Sequence, residues 1–203
     1  MRIVCLDLEG VLVPEIWIGV AERTGIAELR LTTRDISDYD VLMQRRLGIL
    51  RAHGLKLPDI QAVIATMEPH EGALEFLDWM RSVTQLLVVS DTFVEFAGPL
   101  MKKLGRPTLL CNTLTVAPDG TITGYRLRQK DGKRKVAEAM RSLDYTVTGV
   151  GDSYNDISML KAAHHGILYR PPDNVRAEFP GFPVADGFPA LRRLLETILA
   201  DGG

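Results

Sequence analysis

The sequence predicts an α/β protein, a doubly wound parallel sheet with a helical unit inserted after its first strand. Three observations carry that reading. Ile3 to Leu6, Leu86 to Val89 and Thr146 to Val150 are short, largely apolar runs, the pattern of parallel strands covered on both faces. Segments of helical period separate them, and strand followed by helix several times over implies right-handed crossovers. Each run stops at polar residues: Asp7 and Glu9, Ser90 and Asp91, Gly151 and Asp152. In a parallel sheet all of these lie along one edge, where ligands of open α/β sheets bind.

Each element follows from local pattern. Behind the first strand, Val11 to about Glu71 has helical spacing and few strand signals. Ile16, Val20 and Ala21 form a stripe ahead of Gly25; Val41, Leu42, Arg45, Arg46, Ile49 and Leu50 lie on a longer helix ending near Gly54; Ile60, Val63 and Ile64 mark a third. The chain thus divides into an α/β core of residues 1–12 and 72–203 and an inserted helical subdomain of residues 13–71. Ala73 to Met80 reads as a helix leading to the second strand, which ends at Ser90-Asp91, and Phe93 to Leu104 is a helix stopped by Gly105. Leu109 to Cys111 and Leu114 to Val116 are two short strands. Pro118-Asp119-Gly120 and Thr121 to Tyr125 have the composition of a hairpin turn and its return strand. A basic amphipathic helix (Lys133 to Leu143) precedes the third buried strand. Asn155 to Ala163, Gly166 to Tyr169, a Pro171-Pro172 break and an Ala190 to Leu199 helix complete a Rossmann-like alternation, with Asp201-Gly202-Gly203 as a tail.

Composition narrows the function. At 203 residues, 46% hydrophobic and 25% charged, the chain has ordinary globular values and room for one core domain with an insertion. A net charge of -2 gives no general attraction to nucleic acid or an anionic membrane. The basic run Arg126 to Lys135 lacks the interleaved aromatics of a nucleic-acid surface, Tyr125 apart. No apolar stretch approaches the roughly 20 residues that span a bilayer, and the amino terminus lacks a signal-peptide layout, so a cytoplasmic protein is expected. Cys5 and Cys111 have no paired spacing and read as buried thiols, and the four histidines have no ligand spacing. A homodimer stays open.

The strand ends supply Asp7, Glu9, Ser90, Asp91, Asp152, Asn155 and Asp156. Hard oxygen donors from one or two carboxylates suit Mg²⁺ better than a zinc or calcium cage. Asp7 and Glu9 point in different directions from an extended chain, which suits a cation or a division of labour between nucleophile and acid. Ser90, read at the start of a helix, suits phosphate oxygens.

Asp7-Leu8-Glu9-Gly10-Val11, the strand ending at Ser90, a lysine near position 133 and Gly151-Asp152-Ser153-Tyr154-Asn155-Asp156 resemble, in order, the four motifs of the haloacid dehalogenase superfamily of phosphohydrolases. Gly151-Asp152-x-x-Asn155-Asp156-x-x-Met159 and the helical insertion resemble its phosphoserine phosphatase branch. Closest in pattern is the bifunctional phosphoserine phosphatase/homoserine phosphotransferase type, which shares Glu9 and the Ser90-Asp91 pair. Glu9, Val11 and Asp91 stand where typical phosphoserine phosphatases have Asp, Thr and Gly, which puts simple hydrolysis as the sole outcome in doubt.

The resemblance implies that Asp7 is the nucleophile, forming an aspartyl phosphate, and that Asp7, Asp152 and the Glu9 backbone carbonyl hold Mg²⁺. It leaves the Glu9 carboxylate as general acid and Asp156 in an outer shell, orienting the metal's waters or pairing with the active-site lysine. Ser90 and Lys133 take the phosphoryl group, with Lys130 and Lys135 as alternatives to Lys133. Glu15 and Arg46 match the positions that bind the phosphoserine ammonium and carboxylate, with Arg45 an alternative to Arg46; Asp91 and Asn155 join the substrate site. Phosphoserine is the implied substrate and homoserine the implied second acceptor.

Overall fold

The computed structural model describes residues 1–32, 35–36 and 38–200; the tail Asp201-Gly202-Gly203 lies outside the described residues. Strand β1 (Arg2–Leu6) takes the centre of the sheet because its residues are apolar on both faces. Ile3 and Cys5 pack on one side with Val89, Val136, Val147, Leu160 and Leu168. Val4 and Leu6 pack on the other with Phe76, Leu77, Leu100 and Leu191. This two-sided alternation is what a buried parallel strand requires.

Around β1 the chain lays β2 (Gln85–Phe93), β3 (Leu109–Val116) and β4 (Ile122–Arg126) to one side, and β5 (Thr146–Gly151), β6 (His165–Tyr169) and β7 (Val184–Ala185) to the other. The order is β4-β3-β2-β1-β5-β6-β7. Every described pairing is parallel except β3 with β4. β1 pairs Val4 with Leu86 of β2 and with Thr148 of β5. The direction of winding therefore reverses between β1 and β5, the topological switch point that opens a crevice at the strands' carboxyl ends.

Helices α1 (Ile16–Thr24), α2 (Tyr39–Ala52) and α3 (Leu57–Ala65) fill the segment after β1. Gly25 ends α1 in the left-handed conformation, φ 71°, and the Asp38 carboxylate caps α2 by accepting from the Asp40 and Val41 amides. α4 (Ala73–Val83), α5 (Val94–Lys103), α6 (Gly132–Ser142), α7 (Ile157–Ala162), α8 (Asp173–Glu178) and α9 (Phe188–Ala200) follow the core strands. One apolar cluster runs from the insertion into the core: Ile16, Val20, Ile60 and Ile64 share it with Val4, Phe93 and Phe96. The Trp17 ring meets Phe96 edge-on at 5.4 Å, and Phe96 meets Phe93 at 5.8 Å. The Lys103 ammonium donates to the Ala65 and Met67 carbonyls at 3.0 and 2.7 Å, tying the end of α3 to α5.

Several sequence expectations change. β2 does not stop at Ser90-Asp91; it passes an irregularity and pairs Phe93 with Asn112. Ser90 is consequently inside the strand and four residues ahead of α5, not at a helix start. The two short strands after Gly105 are one, because β3 changes partner midway, from Val88 and Val89 of β2 to Tyr125 and Arg126 of β4. Asn155 belongs to a short 3-10 turn, Tyr154–Asp156, ahead of α7. Among the described residues no helix is long and apolar enough to cross a membrane.

Because Phe96 joins insertion to core, Phe96→Ala is expected to lower the unfolding free energy by about 3–5 kcal/mol. The shift in urea midpoint at unchanged m-value measures it, and a loss below about 1 kcal/mol contradicts the shared core.

Candidate active site

The site assembles around one buried cation. The Lys133 ammonium, on the first turn of α6, lies 2.7 Å from Asp156 Oδ1, 3.0 Å from Asp7 Oδ1 and 3.7 Å from Asp91 Oδ2. Lys133 and Asp7 are each 3% exposed and Asp156 is fully buried. Burial alone would lower the lysine's pKa, but Asp156, Asp7 and Asp91 outweigh it and hold the ammonium well above its ordinary value. Asp7 is pushed well above the usual carboxylate range, first by burial, then by Asp156, against the pull of Lys133 and with a further push from Asp152.

Backbone geometry places these acids. Asp7 follows β1, where its N–H donates to the Val150 carbonyl at 2.9 Å, and its Oδ1 accepts from the Leu8 amide at 2.7 Å. Asp152 follows β5 across the switch point. Burial, then Asp156 and Glu15, raise the Asp152 carboxyl to about 7. Asp156 closes the turn, since its Oδ2 accepts from the Asp152 and Ser153 amides at 3.0 and 3.1 Å while its Oδ1 faces Lys133. Both glycines of the motifs are required by space. A Cβ on Gly151 would fall 2.2 Å from Asp156 Cγ, and one on Gly10, φ 78°, would fall 2.6 Å from the Asp152 carboxylate.

Asp7, Asp152 and Asp156 each offer an oxygen within 4.8 Å of the others. Three carboxylates against one ammonium leave the cluster short of positive charge, and the donors are hard oxygens, so a divalent cation of the Mg²⁺ type fits. Asp156 already serves Lys133 and two amides, which leaves Asp7 and Asp152 as the better placed ligands.

Glu9 stands apart from that trio. Its Oε2 accepts from the Ile16 amide, the first of α1, at 2.8 Å, and its carboxylate also accepts from the Thr92 side chain. Burial, then Glu15, push it to about 7. Arg46 is the buried member of its pair and Arg45 is exposed. The Arg46 guanidinium lies 4.6 Å from the Trp17 ring centroid and donates to the Leu31 carbonyl at 2.7 Å, while its buried Nε has no hydrogen-bond partner among the described residues. Burial lowers its pKa to about 10, against the pull of Tyr39, Glu9 and Glu15. Of the three lysines considered, Lys133 alone is buried. Buried Ser90 accepts from the Thr92 amide at 3.2 Å, and Asn155 donates to Asp91 Oδ2 at 3.1 Å. All ten expected residues thus gather at this edge or, for Glu15 and Arg46, in the insertion close enough to influence Glu9.

Three residues escaped sequence reasoning. Thr92 holds Glu9; Asn112 donates to the Asp91 carbonyl at 3.0 Å and accepts from the Arg128 amide; the Tyr39 hydroxyl donates to the same Asp91 carbonyl at 3.3 Å. Asn112 left a trace, a polar residue interrupting an apolar strand. Nothing in the pattern marks Tyr39.

A doubly wound sheet with a buried lysine and carboxylates across its switch point defines an α/β protein with a polar ligand site at its strand ends, and comparison specifies the class. The chain belongs to the haloacid dehalogenase-like hydrolases, whose family model matches residues 17–161. It is 58% identical over 193 residues to Phosphoserine phosphatase ThrH of Pseudomonas aeruginosa, covering 95% of this chain and 94% of that one. A Phosphoserine phosphatase of Pseudomonas syringae pv. tomato is also 58% identical, with 95% and 81% covered. The fold is that of a crystal structure of phosphoserine phosphatase in apo form, TM-score 0.77 at 22% identity, covering 96% of this chain and 98% of that one.

Gly151→Ala is expected to abolish activity and to cost more than about 2 kcal/mol of stability, since backbone and Asp156 must both move. Calorimetry together with turnover checks this; a variant that is active and as stable as the parent contradicts the close approach.

Proposed function

We propose that the protein is a Mg²⁺-dependent phosphoserine phosphatase acting through a phosphoryl group on Asp7, and that it also passes this group to an alcohol such as homoserine. The observation that carries the reading is the buried Asp7–Lys133–Asp156 cluster with Asp152 beside it and Glu9 separately held. The 58% identity to relatives named phosphoserine phosphatase supports the substrate. Residues 13–71 act as the cap that supplies substrate contacts.

An Asp7 carboxylate oxygen attacks phosphorus in line, the bond from phosphorus to the serine oxygen breaks, and Glu9 gives its proton to that oxygen. Its pKa of about 7 leaves the proton available near neutrality. In the second half Glu9 takes a proton from the attacking water or alcohol, and phosphorus transfers to that oxygen, releasing Asp7. Lys133 and Ser90 bind the phosphoryl oxygens. Asp7, Asp152 and the Glu9 backbone carbonyl would hold Mg²⁺, which when bound offsets repulsion between the carboxylate and the phosphate. Arg46, whose Nε has no partner among the described residues, pairs with the substrate carboxylate, and Glu15 with its ammonium. Asn155 and Asp91 line the same rim. The Glu9 side chain reaches one methylene further than an aspartate, which alters the room beside phosphorus and so the choice between water and an alcohol.

Asp7→Asn is expected to end phosphate release from phosphoserine, and retained turnover overturns the nucleophile. Glu9→Gln is expected to slow phosphorylation of the enzyme by phosphoserine about 10²–10⁴-fold but to spare the first-turnover burst of p-nitrophenol from a p-nitrophenyl ester, whose leaving group needs no proton, while steady-state turnover of both falls because Glu9 also serves the second half. Equal losses in the first-turnover rates of both substrates remove the acid role. Arg46→Ala should raise KM about 10–100-fold for phosphoserine and little for an ester lacking a carboxylate. Incubation with phosphoserine and homoserine should yield phosphohomoserine; its absence at high acceptor concentration reduces the activity to hydrolysis.

A further inference from the structure

Asp131 occupies the cap position before α6 yet does not cap it. Its backbone is left-handed, φ 53° and ψ 49°, and its side chain bonds to no amide of α6. An aspartate at a helix start ordinarily takes an extended backbone and accepts from the second or third amide, and left-handed conformations are disfavoured for residues with a Cβ. The carboxylate goes elsewhere. Asp131 Oδ1 accepts from the Ser158 hydroxyl of α7 at 2.8 Å, and Oδ2 accepts from the Arg134 guanidinium, itself bonded to Glu138.

The placement of this contact is specific. Asp131 lies two residues before Lys133, and Ser158 lies two residues after Asp156. The Asp131–Ser158 bond is therefore the outer rung of a ladder whose inner rung is the buried Lys133–Asp156 pair. The first turn of α6 and the first turn of α7 are held together at both points. The inner rung is charged and buried; the outer one is solvent-exposed, so its loss alters global stability little.

We propose that Asp131 and Ser158 are positioning residues, a brace that fixes the entry of α6 so that the Lys133 ammonium meets the phosphoryl group. The proposal rests on the catalytic reading of Lys133 given above. It predicts a dependence of turnover, not of folding, on a contact outside the site.

The test compares kcat and melting temperature for parent, Ser158→Ala, Asp131→Gly and Asp131→Asn on a p-nitrophenyl ester with Mg²⁺. Ser158→Ala and Asp131→Gly are expected to lower kcat about 10-fold at near-parent melting temperature, since small misplacements cost rate steeply. Asp131→Asn, which keeps an acceptor oxygen and tolerates the left-handed backbone, should restore most of it. Glu196→Ala, which removes an exposed ion pair with Arg192 on α9, should change nothing. In a Lys133→Gln background, Ser158→Ala should have no further effect on the residual rate, because both changes act through one ammonium. Unchanged kcat in Ser158→Ala, or the same 10-fold loss without Lys133, overturns the brace while leaving the catalytic reading intact. Full activity in Lys133→Gln alone overturns the catalytic reading, and the brace with it.

Discussion

An ammonium buried among carboxylates is the constraint on which the rest of the molecule depends. Lys133 is stable as a cation in the interior only because Asp156 and Asp7 lie within 3.0 Å of it, and those carboxylates tolerate burial only because of the lysine. Removing either side leaves an uncompensated buried charge. The sheet order follows from the need to bring these groups together, since Asp7 ends β1, Asp152 and Asp156 follow β5, and the two strands are neighbours at the switch point. The glycines at 10 and 151 follow as well, because they clear the space in which Asp152 and Asp156 sit.

Charge excess gives the cluster its chemistry. Three carboxylates share one ammonium; burial first, and then their mutual repulsion, raise Asp7 and Asp152, and the imbalance suits the site to a divalent cation. Glu9 escapes this competition by bonding to the Ile16 amide and Thr92. It is thereby held as a separate carboxyl group, joined through α1 to the insertion that also carries Glu15 and Arg46. The insertion shares its apolar core with the sheet, so Glu9, Glu15 and Arg46 are positioned by one packing arrangement.

Much of this was legible from strand ends. Apolar runs stopping at Asp7, Ser90 and Asp152 locate the edge because the covered part of a parallel strand is apolar on both faces and polar side chains begin where the crevice opens, even in β2, which continues to Phe93. Burial separates what spacing could not: Lys133 from Lys130 and Lys135, and Arg46 from Arg45, whose side chains point about 100° apart on a helix. The errors came where local pattern and tertiary pairing disagree. β2 continues through Ser90 and Asp91 because Phe93 finds Asn112, and β3 is one strand because it exchanges β2 for β4. α8 and β7, six and two residues long, are too short for periodicity to declare. Tyr39 and Thr92 act through partners far away in sequence, 52 residues for Tyr39 and Asp91.

The central claim is that this buried ionic cluster makes Asp7 the phosphoryl acceptor. Mixing the enzyme with phosphoserine and Mg²⁺, quenching in acid within the first turnover and sequencing the peptides by mass spectrometry tests it most directly. The account predicts one added phosphoryl group on the peptide spanning β1, located at Asp7 and lost on mild base treatment as an acyl phosphate is. A phosphoryl group on Ser90 or another side chain, or product formed with the enzyme never labelled at any quench time, would contradict it.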